Sequence, residues 1–213
     1  VEIASGAAIQ PGSVIGDRVR IGAQCVLHAR VTLYSDVVLG DKVTLHSGAV
    51  IGADGFGLTK DEQGAWLNVP QLGSVVLHDE VEVGANTCID RGAIEDTVLE
   101  RGVRLDNQIQ VGHNVRIGEY TAIAACTGIA GSVTIGKYCI IAGAVGIAGH
   151  LTIADNVVIM AMSGVMSSIT EPGYYASSPV LQERSAWMKR SVLSRKLPDL
   201  FKRVKKLEKK KND

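Results

Sequence analysis

An aliphatic residue returns at every sixth position through the second half of this chain, and that period decides which folds are open to it. The positions are Leu105, Val111, Ile117, Ile123, Ile129, Ile135, Ile141, Ile147, Ile153, Ile159 and Val165. Six fits neither the 3.6-residue period of an α-helix nor the two-residue period of a strand. It fits a chain that turns a corner every six residues and places one large aliphatic side chain inside at each turn. This hexapeptide pattern predicts an all-β solenoid, a parallel β-helix with three turns in each coil.

The first part of the chain follows the same frame and is then interrupted. Its aliphatic positions are Ile3, Ile9, Ile15, Ile21, Leu27, Leu33, Leu39, Leu45 and Ile51. Residues 53–74 have no hexad, and a loop of this length inside a compact domain is commonly functional. We expect a functional insertion, with a tolerated surface insertion as the alternative. Burial of its aromatic residues, Phe56 and Trp66, would favour an ordered flap over the body. The repeats resume at Leu77, so a β-helix domain over residues 1–170 has roughly eight coils at about 4.8 Å each.

Small residues and cysteines fit a thin, tightly wound body. The chain has 24 Gly, 5 Pro and 4% aromatic residues, so its core must be built from Val, Ile, Leu and Ala. Gly16, Gly22, Gly40 and Gly52 follow the inward aliphatic residue, where we expect a corner with a positive φ angle. No Cys-x-x-Cys pair occurs among the cysteines, and we expect all four to be buried free thiols in a reducing compartment: Cys25, Cys88, Cys126 and Cys139.

The net charge of zero conceals two parts of opposite sign. Residues 1–180 carry 10 Lys/Arg and 18 Asp/Glu, whereas residues 181–213 carry 12 and 4. Residues 171–213 predict a basic helical extension, with one helix over 181–194 and a second that begins at Pro198. This charge favours an acidic partner. No apolar run approaches the roughly 20 residues of a membrane span and no signal peptide is visible. We therefore predict a cytoplasmic protein, without a membrane span or a nucleic-acid partner.

Histidines are the side chains with the most evident chemistry. His28 and His46 directly follow inward aliphatic residues one coil apart, so we predict that they lie above one another on the surface at a corner. His78 follows Leu77 in the same way and has no predicted role. A metal site needs three or four converging ligands, and none is predicted here. His113 and His150 fall two coils apart on one face, an axial separation on the order of 10 Å that suits two ends of one extended substrate.

Six stretches of the chain carry a resemblance to a known family. They are IGADGFG (51–57), GANTCIDRGA (84–93), LDNQIQVGHNVRIG (105–118), GIAGS (128–132), GIAGH (146–150) and ITEPGYY (169–175). They resemble the hexapeptide acyltransferases, and most closely the N-acyltransferases that act on UDP-3-O-(3-hydroxyacyl)glucosamine in lipid A biosynthesis. The hexad alone is also found in acetyltransferases, nucleotidyltransferase tails and γ-class carbonic anhydrases, whereas the Asp-Asn-Gln block before His113 is more specific.

The resemblance implies a left-handed β-helix, a homotrimer and active sites between subunits. The implied reaction moves a 3-hydroxyacyl group from acyl carrier protein to the 2-amine of a UDP-3-O-acylglucosamine. It uses no metal or diffusible cofactor, only the phosphopantetheine arm of the carrier. By this resemblance His113 is the general base, while Asp106 and Asn107 orient its imidazole and contact the sugar. The backbone N–H of Gly131 faces the tetrahedral oxyanion.

The same resemblance assigns the remaining parts of the substrates. His150 assists at the thioester or the phosphopantetheine, and Gly164 and Met166 border the acyl chain. Because Gly164 is small where the family can carry a bulky side chain, a longer acyl chain is predicted. The basic extension would dock the acidic carrier protein. The family places a uridine-binding domain before the β-helix, and we expect this chain to lack it because Ile3 is already in the repeat frame.

Three alternatives fit the repeat pattern. One is an acyltransferase that uses a coenzyme A thioester and another amino sugar. The second is a metalloprotein like the γ-carbonic anhydrases, with histidines that meet across subunits. The third is a trimeric scaffold without catalysis. Donor preference, metal content and the effect of replacing His113 separate these three from the lipid A enzyme.

Overall fold

A computed structural model describes residues 1–177 and 180–212 of the chain. Two compact units divide it, residues 1–178 and 179–213. The strands of the first half are β1 (Glu2–Ile3), β2 (Ala8–Ile9), β3 (Val14–Ile15), β4 (Arg20–Ile21), β5 (Val26–Leu27), β6 (Thr32–Leu33), β7 (Val38–Leu39), β8 (Thr44–Leu45), β9 (Val50–Ala53), β10 (Leu58–Lys60), β11 (Trp66–Asn68), β12 (Val75–Leu77), β13 (Glu82–Val83), β14 (Cys88–Asp90) and β15 (Thr97–Leu99). Those that follow are β16 (Arg104–Leu105), β17 (Gln110–Val111), β18 (Arg116–Ile117), β19 (Ala122–Ile123), β20 (Gly128–Ile129), β21 (Thr134–Ile135), β22 (Ile140–Ile141), β23 (Gly146–Ile147), β24 (Thr152–Ile153), β25 (Val157–Ile159), β26 (Gly164–Val165) and β27 (Gly173–Tyr175).

These strands stack into three parallel sheets, which form the three faces of a β-helix. Face A has the order β1-β4-β7-β12-β15-β18-β21-β24, face B β2-β5-β8-β13-β16-β19-β22-β25-β27, and face C β3-β6-β9-β14-β17-β20-β23-β26. Each strand pairs with the strand one coil later, as Gln110 does with Gly128. Eight strands on face A and on face C agree with the expected eight coils.

The core is a column of the hexad side chains. Ile117, Ile129 and Ile135 are at most 2% exposed, and the residues two positions earlier, such as Val115 and Val133, are fully buried. Each such aliphatic side chain contributes about 1.5–3 kcal/mol when it leaves water. The predicted inward positions are therefore confirmed along the main run.

Positive φ angles occur mostly at a different position of each corner from the one predicted. Positive φ angles occur at the third residue after the inward aliphatic, as at Arg18 (55°) and Asn114 (59°). Gly22, directly after its aliphatic, is absent from this set. A Cβ there would lie 2.2 Å from the carbonyl oxygen of Gly40 in the next coil. Glycine is thus required at this position by close approach of two backbones. The prediction of positive φ was wrong for Gly16, Gly22 and Gly40 and is confirmed only for Gly52, at 88°.

The structure buries fewer cysteines than predicted and leaves the aromatic residues of the flap exposed. Cys25 and Cys139 are buried, but Cys88 is half-buried on the outer side of face C and Cys126 is exposed at a corner. The flap, residues 53–74, contains the antiparallel hairpin β10–β11. The aromatic side chains of the flap are not buried against the body: Phe56 is 85% exposed and Trp66, at the start of β11, is 63% exposed. A two-stranded hairpin has no second layer to cover such side chains, and Trp66 instead lies under the Lys60 ammonium at 4.8 Å.

The second unit contains one helix, α1 (Arg184–Asn212), where two were predicted. Pro198 lies inside it rather than at the start of a second helix. The Glu183 carboxylate accepts from the hydroxyl and the N–H of Ser185 and from the N–H of Ala186 at the helix start. These bonds, that of the hydroxyl foremost, lower the pKa of Glu183. Within the described part of the chain, no helix has the length and apolar character that crossing a membrane requires.

Candidate active site

His113 lies at the corner between faces C and A, directly after β17, and is half-buried. Its Nδ1 is 2.9 Å from Oδ1 of Asn114. The same Oδ1 accepts from the N–H of Ala93 at 2.9 Å, and Nδ2 of Asn114 donates to the carbonyl of Glu95 at 2.8 Å. These bonds assign the amide orientation, so the atom that faces Nδ1 is an acceptor. In the neutral imidazole the proton is therefore on Nδ1 and the lone pair on Nε2.

Gly131 follows His113 at the same corner, one coil later. A Cβ on Gly131 would lie 2.5 Å from Nε2 of His113, so only glycine leaves room for the ring. The N–H of Ser132 donates to the His113 carbonyl at 2.9 Å, and that of His150 to the Gly131 carbonyl at 3.1 Å. The structure therefore brings the predicted His113 and Gly131 together, with His150 one coil beyond them.

The Gly131 N–H donates to no acceptor among the described residues. At some comparable corners this amide donates to a carboxylate of the next coil: Ala23 donates to Asp41 and Lys137 to Asp155, each at 2.7 Å. The corresponding residue after Gly131 is Gly149, which has no side chain. The Gly131 amide is thus available to an anionic oxygen beside the base.

Asp106 and Asn107 lie at the other end of β17, at the corner between faces B and C. The Asp106 carboxylate accepts from the backbone and side chain of Asn107 at 2.8 and 2.9 Å and from the Ala125 N–H at 3.1 Å. Oδ1 of the Asn107 side chain accepts from the N–H of Ala85 at 2.7 Å. Within one chain Asn114, not Asp106, orients the His113 imidazole. Strand β17 of face C separates the Asp106 corner from the His113 corner. The spacing of residues along the chain did not reveal this separation.

A cavity of about 710 Å³ runs along face B past Asp106. At one end it is polar, with Glu82 between Nε2 of His46 at 2.9 Å and the Arg104 guanidinium at 3.6 Å. At the other end its walls are Ala122, Ile123, Ala124, Ile140, Ile141 and Ala142. His46 also stacks on His28 with ring centroids 5.0 Å apart, which confirms the predicted surface pair.

Face C carries an apolar strip beside the His113 corner. Gly128, Gly146 and Gly164 occupy successive outward positions in register. A Cβ on Gly128 or Gly146 would meet nothing within 4 Å. The strip lines a cavity of about 420 Å³, which Met166 borders at its far end. The predicted pair Gly164 and Met166 therefore lie together, three coils from β17.

Asp90 lies near His113, and the sequence predicted no role for it. It ends β14 at a shift in register between Ile89 and Asp90. Burial raises the pKa of Asp90, while a hydrogen bond from Gln110 and the nearby His113 oppose that rise. The motif Ile-Asp-Arg-Gly was noted in the sequence, but the irregular pairing that turns this carboxyl toward His113 has no sequence signal that we recognised.

The flap also contacts His113. A Cβ on Gly55 would lie 2.8 Å from Cβ of His113 and 3.1 Å from Oε1 of Gln71. Gln71 is 8% exposed. Residues 53–74 thus cover one side of the catalytic candidate. Across residues 1–177 and 180–212, no group of three or more His, Cys, Asp or Glu side chains is arranged to hold a metal ion.

Comparison with solved structures defines the class of protein first. A UDP-N-acetylglucosamine acyltransferase of Francisella novicida matches with a TM-score of 0.76 and 23% identity, over 89% of this chain and 69% of that one. A UDP-N-acetylglucosamine O-acyltransferase of Moraxella catarrhalis gives 0.69 and 22%, over 89% and 73%. A family model described as bacterial transferase hexapeptide (six repeats) matches residues 19–53. The chain is a left-handed parallel β-helix of hexapeptide repeats.

Sequence relatives are more specific. A UDP-3-O-acylglucosamine N-acyltransferase of Coxiella burnetii is 49% identical over 185 residues, which are 87% of this chain and 54% of that protein. One from Pseudomonas fluorescens (strain Pf0-1) is 48% identical over 208 residues, 98% and 54% respectively. The resemblance inferred from the motifs is therefore confirmed. The chain spans about half the length of these curated relatives.

Proposed function

We propose that this chain is the β-helix part of an N-acyltransferase of lipid A biosynthesis. Its reaction transfers a 3-hydroxyacyl group from acyl carrier protein to the 2-amine of UDP-3-O-(3-hydroxyacyl)glucosamine. The observation that carries the proposal is the pairing of an unprotonated Nε2 on His113 with the unbonded N–H of Gly131. Sequence identity of 49% to N-acyltransferases supports the substrate class.

In the proposed reaction, His113 Nε2 removes a proton from the amine as its nitrogen attacks the thioester carbon. The oxyanion that develops accepts a hydrogen bond from the Gly131 N–H. Collapse of the tetrahedral intermediate breaks the C–S bond and leaves the amide product. The departing thiolate of the phosphopantetheine arm takes the proton from His113, and His150 assists at this end. No metal or further cofactor takes part.

The distribution of the site residues supports a trimer. Asp106 and His113 lie at opposite ends of β17, so one site that contains both corners requires two copies of the chain. In a homotrimer Asp106 and Asn107 of one copy contact the sugar of a substrate held by His113 of another. Light scattering of the purified chain measures this state, and a monomer that is fully active contradicts it.

The glycine strip is the proposed path of the acyl chain. Gly128, Gly146 and Gly164 present only backbone to it, and Met166 limits it. Because Gly164 leaves room, long acyl chains are accepted. Transfer from donors of increasing length tests this, and a Gly164→Met variant should shift the preference to shorter chains.

Carrier docking is assigned to α1. The exposed basic residues include Arg195, Lys202, Lys206 and Lys209, and acidic carrier proteins complement such a surface. Replacing the three lysines by alanine should weaken carrier binding, whereas arginine should preserve it. Equal affinity of both variants removes the assignment.

Acyl transfer to UDP-3-O-acylglucosamine tests the proposed function directly. We expect product from 3-hydroxyacyl carrier protein and a fall of about 10²–10⁴-fold in kcat/KM for His113→Ala. His78→Ala is the matched control, since His78 is exposed on a different corner. Preference for the coenzyme A thioester would favour the alternative donor. The absence of any transfer by the wild-type chain contradicts the proposal.

A further inference from the structure

One side of α1 carries a continuous apolar stripe. Successive residues of a helix are turned by about 100°, so the stripe spans about 120° of the helix circumference. Its side chains, each 41–67% exposed, are Leu193, Leu197, Leu200, Phe201, Val204 and Leu207. Large apolar side chains gain free energy when they leave water. The stripe therefore predicts an apolar contact that the described residues of the chain do not supply.

The remainder of α1 is strongly basic. The helix contains 12 Lys/Arg and 2 Asp/Glu. At helical spacing, Lys196, Arg203 and Lys205 lie along the two edges of the stripe. Lys202 and Lys206, which were assigned to the carrier protein, lie on the opposite side of the helix. The stripe and the carrier-facing residues thus form two separate surfaces of one helix.

An anionic bilayer surface complements both the stripe and its edges. A helix that is polar overall, with Leu and Phe on one side and Lys/Arg on the others, lies in the plane of a membrane interface and buries its apolar side at the boundary of the acyl chains. The charged ends of lysine and arginine at the edges of such a side reach the phosphate groups of the lipids. The distribution of residues on α1 has this form.

Pairing of α1 with a second copy of the chain explains the stripe less well. A coiled coil needs apolar residues at alternating spacings of three and four over roughly three or four heptads. Here that series runs only from Leu193 to Leu207, about two heptads, and Arg190 holds the seam position before it. Phe201 widens the stripe beyond such a seam. A short, wide stripe favours a fluid apolar phase over the groove of another helix.

We propose that the apolar stripe of α1 binds the surface of an anionic phospholipid bilayer, with Lys196, Arg203 and Lys205 contacting the lipid phosphates. The assignment goes beyond the proposed function, and its consequence for the product rests on that function. The proposed acceptor carries one acyl chain and the product carries two. One such chain holds a molecule to a bilayer only reversibly, whereas two hold it firmly. A protein at the bilayer surface releases this product into the membrane without passage through water.

Flotation of the 213-residue chain with lipid vesicles tests the stripe. We expect binding to vesicles of phosphatidylglycerol and phosphatidylethanolamine, weaker binding in high salt, and little binding to phosphatidylcholine vesicles. Replacing Leu200 and Phe201 by glutamine, a good helix former, should weaken binding to the anionic vesicles by about 10²-fold. The matched control replaces Met188 and Val192 by glutamine, since both are exposed on α1 outside the stripe, and it should bind as the wild type does.

Glutamine at Lys196, Arg203 and Lys205 should remove the preference for anionic vesicles. Circular dichroism checks that each variant keeps its helix. A wild type that does not float with anionic vesicles, or a Leu200 and Phe201 variant that floats as well as the wild type, overturns the membrane contact. If that variant instead dissociates in light scattering while the wild type ignores vesicles, the stripe belongs to a second copy.

Acyl transfer without vesicles, measured in parallel, separates this inference from the proposed function. Transfer by a wild type that does not bind vesicles overturns the membrane contact alone. Vesicle binding by a wild type that transfers no acyl group overturns the proposed function and retains the contact.

Discussion

The coils from Leu105 to Val165 and the stretch from Ile51 to Glu100 differ in how completely their polar groups are paired. In the first, every turn has six residues and each strand pairs in simple register with the next coil. The second contains the flap, a shift in register at Asp90 and a lengthened corner between β14 and β15, where ten residues instead of six separate Ile89 from Leu99. Three buried polar atoms without a partner among the described residues all lie in it, on Gln71, Ser74 and Arg91.

His113 sits where these two regions meet. Its backbone belongs to the regular coils, whereas Asn114, which orients its ring, is held by Ala93 and Glu95 of the irregular stretch. Regular repeats thus supply a rigid frame, and their interruption supplies backbone groups at positions that a repeat cannot offer. The candidate site needs both.

The largest expected effect separates the regions by stability. Ile135 in the regular coils is 1% exposed, whereas Ile94, which lies between β14 and β15 in the irregular stretch, is 81% exposed. Ile135→Ala should lower the free energy of unfolding by about 2–5 kcal/mol, because it leaves a cavity. Ile94→Ala should change it by about 0.5 kcal/mol or less. Urea unfolding measures both, and equal losses would erase the distinction.

The next largest effect tests the contact between Gly131 and the imidazole of His113. Gly131→Ala places a Cβ 2.5 Å from Nε2 of His113. Since a displaced ring loses its alignment, kcat/KM should fall by about 10²-fold. Gly143→Ala is the matched variant at the same place on the neighbouring corner, where the new atom would meet only the Ala125 carbonyl at 3.2 Å. Comparable activity of the two variants would separate Gly131 from the chemistry.

The smallest expected effect is a pH dependence of stability that comes from Asp90 in the irregular stretch. Burial raises the pKa of Asp90 in the folded chain, so folding is favoured by protonation of this carboxyl. Its share of stability is therefore full below the ordinary Asp range and is lost as pH rises through the raised value. Asp90→Asn should match the wild type at low pH and be the more stable protein at neutral pH.

Unfolding midpoints across the acidic range measure this difference, with exposed Asp54→Asn of the flap as control. A gap between Asp90→Asn and wild type that does not widen with pH would show that burial does not govern this carboxyl.

Sequence reasoning succeeded where a position has one environment in every coil. The aliphatic period predicted Ile117 and Ile135 as core, and a spacing of one coil predicted the stack of His28 on His46. It failed where the partner comes from outside the repeat. The role of Asn114 depends on the lengthened corner between β14 and β15, ten residues from Ile89 to Leu99, which brings the carbonyl of Glu95 within reach.

Proline chemistry misled the prediction for the second unit. Pro198 favours the first turn of a helix, and its ring cannot donate a hydrogen bond inside one. The helix nevertheless continues from Arg184 through Pro198 to Asn212. The cost of one interior proline is local, so a sequence rule for helix starts does not decide whether a long helix stops.

The free amide of Gly131 has a consequence for how new functions arise on this scaffold. At three such corners among the described residues an acidic side chain in the following coil accepts from the amide, as Asp155 does from that of Lys137. A single replacement such as Asp155→Gly would expose that amide without altering the winding. Each corner of this kind is in this sense a latent anion receptor, and evolution or protein engineering can uncover it by deleting one side chain from the neighbouring coil.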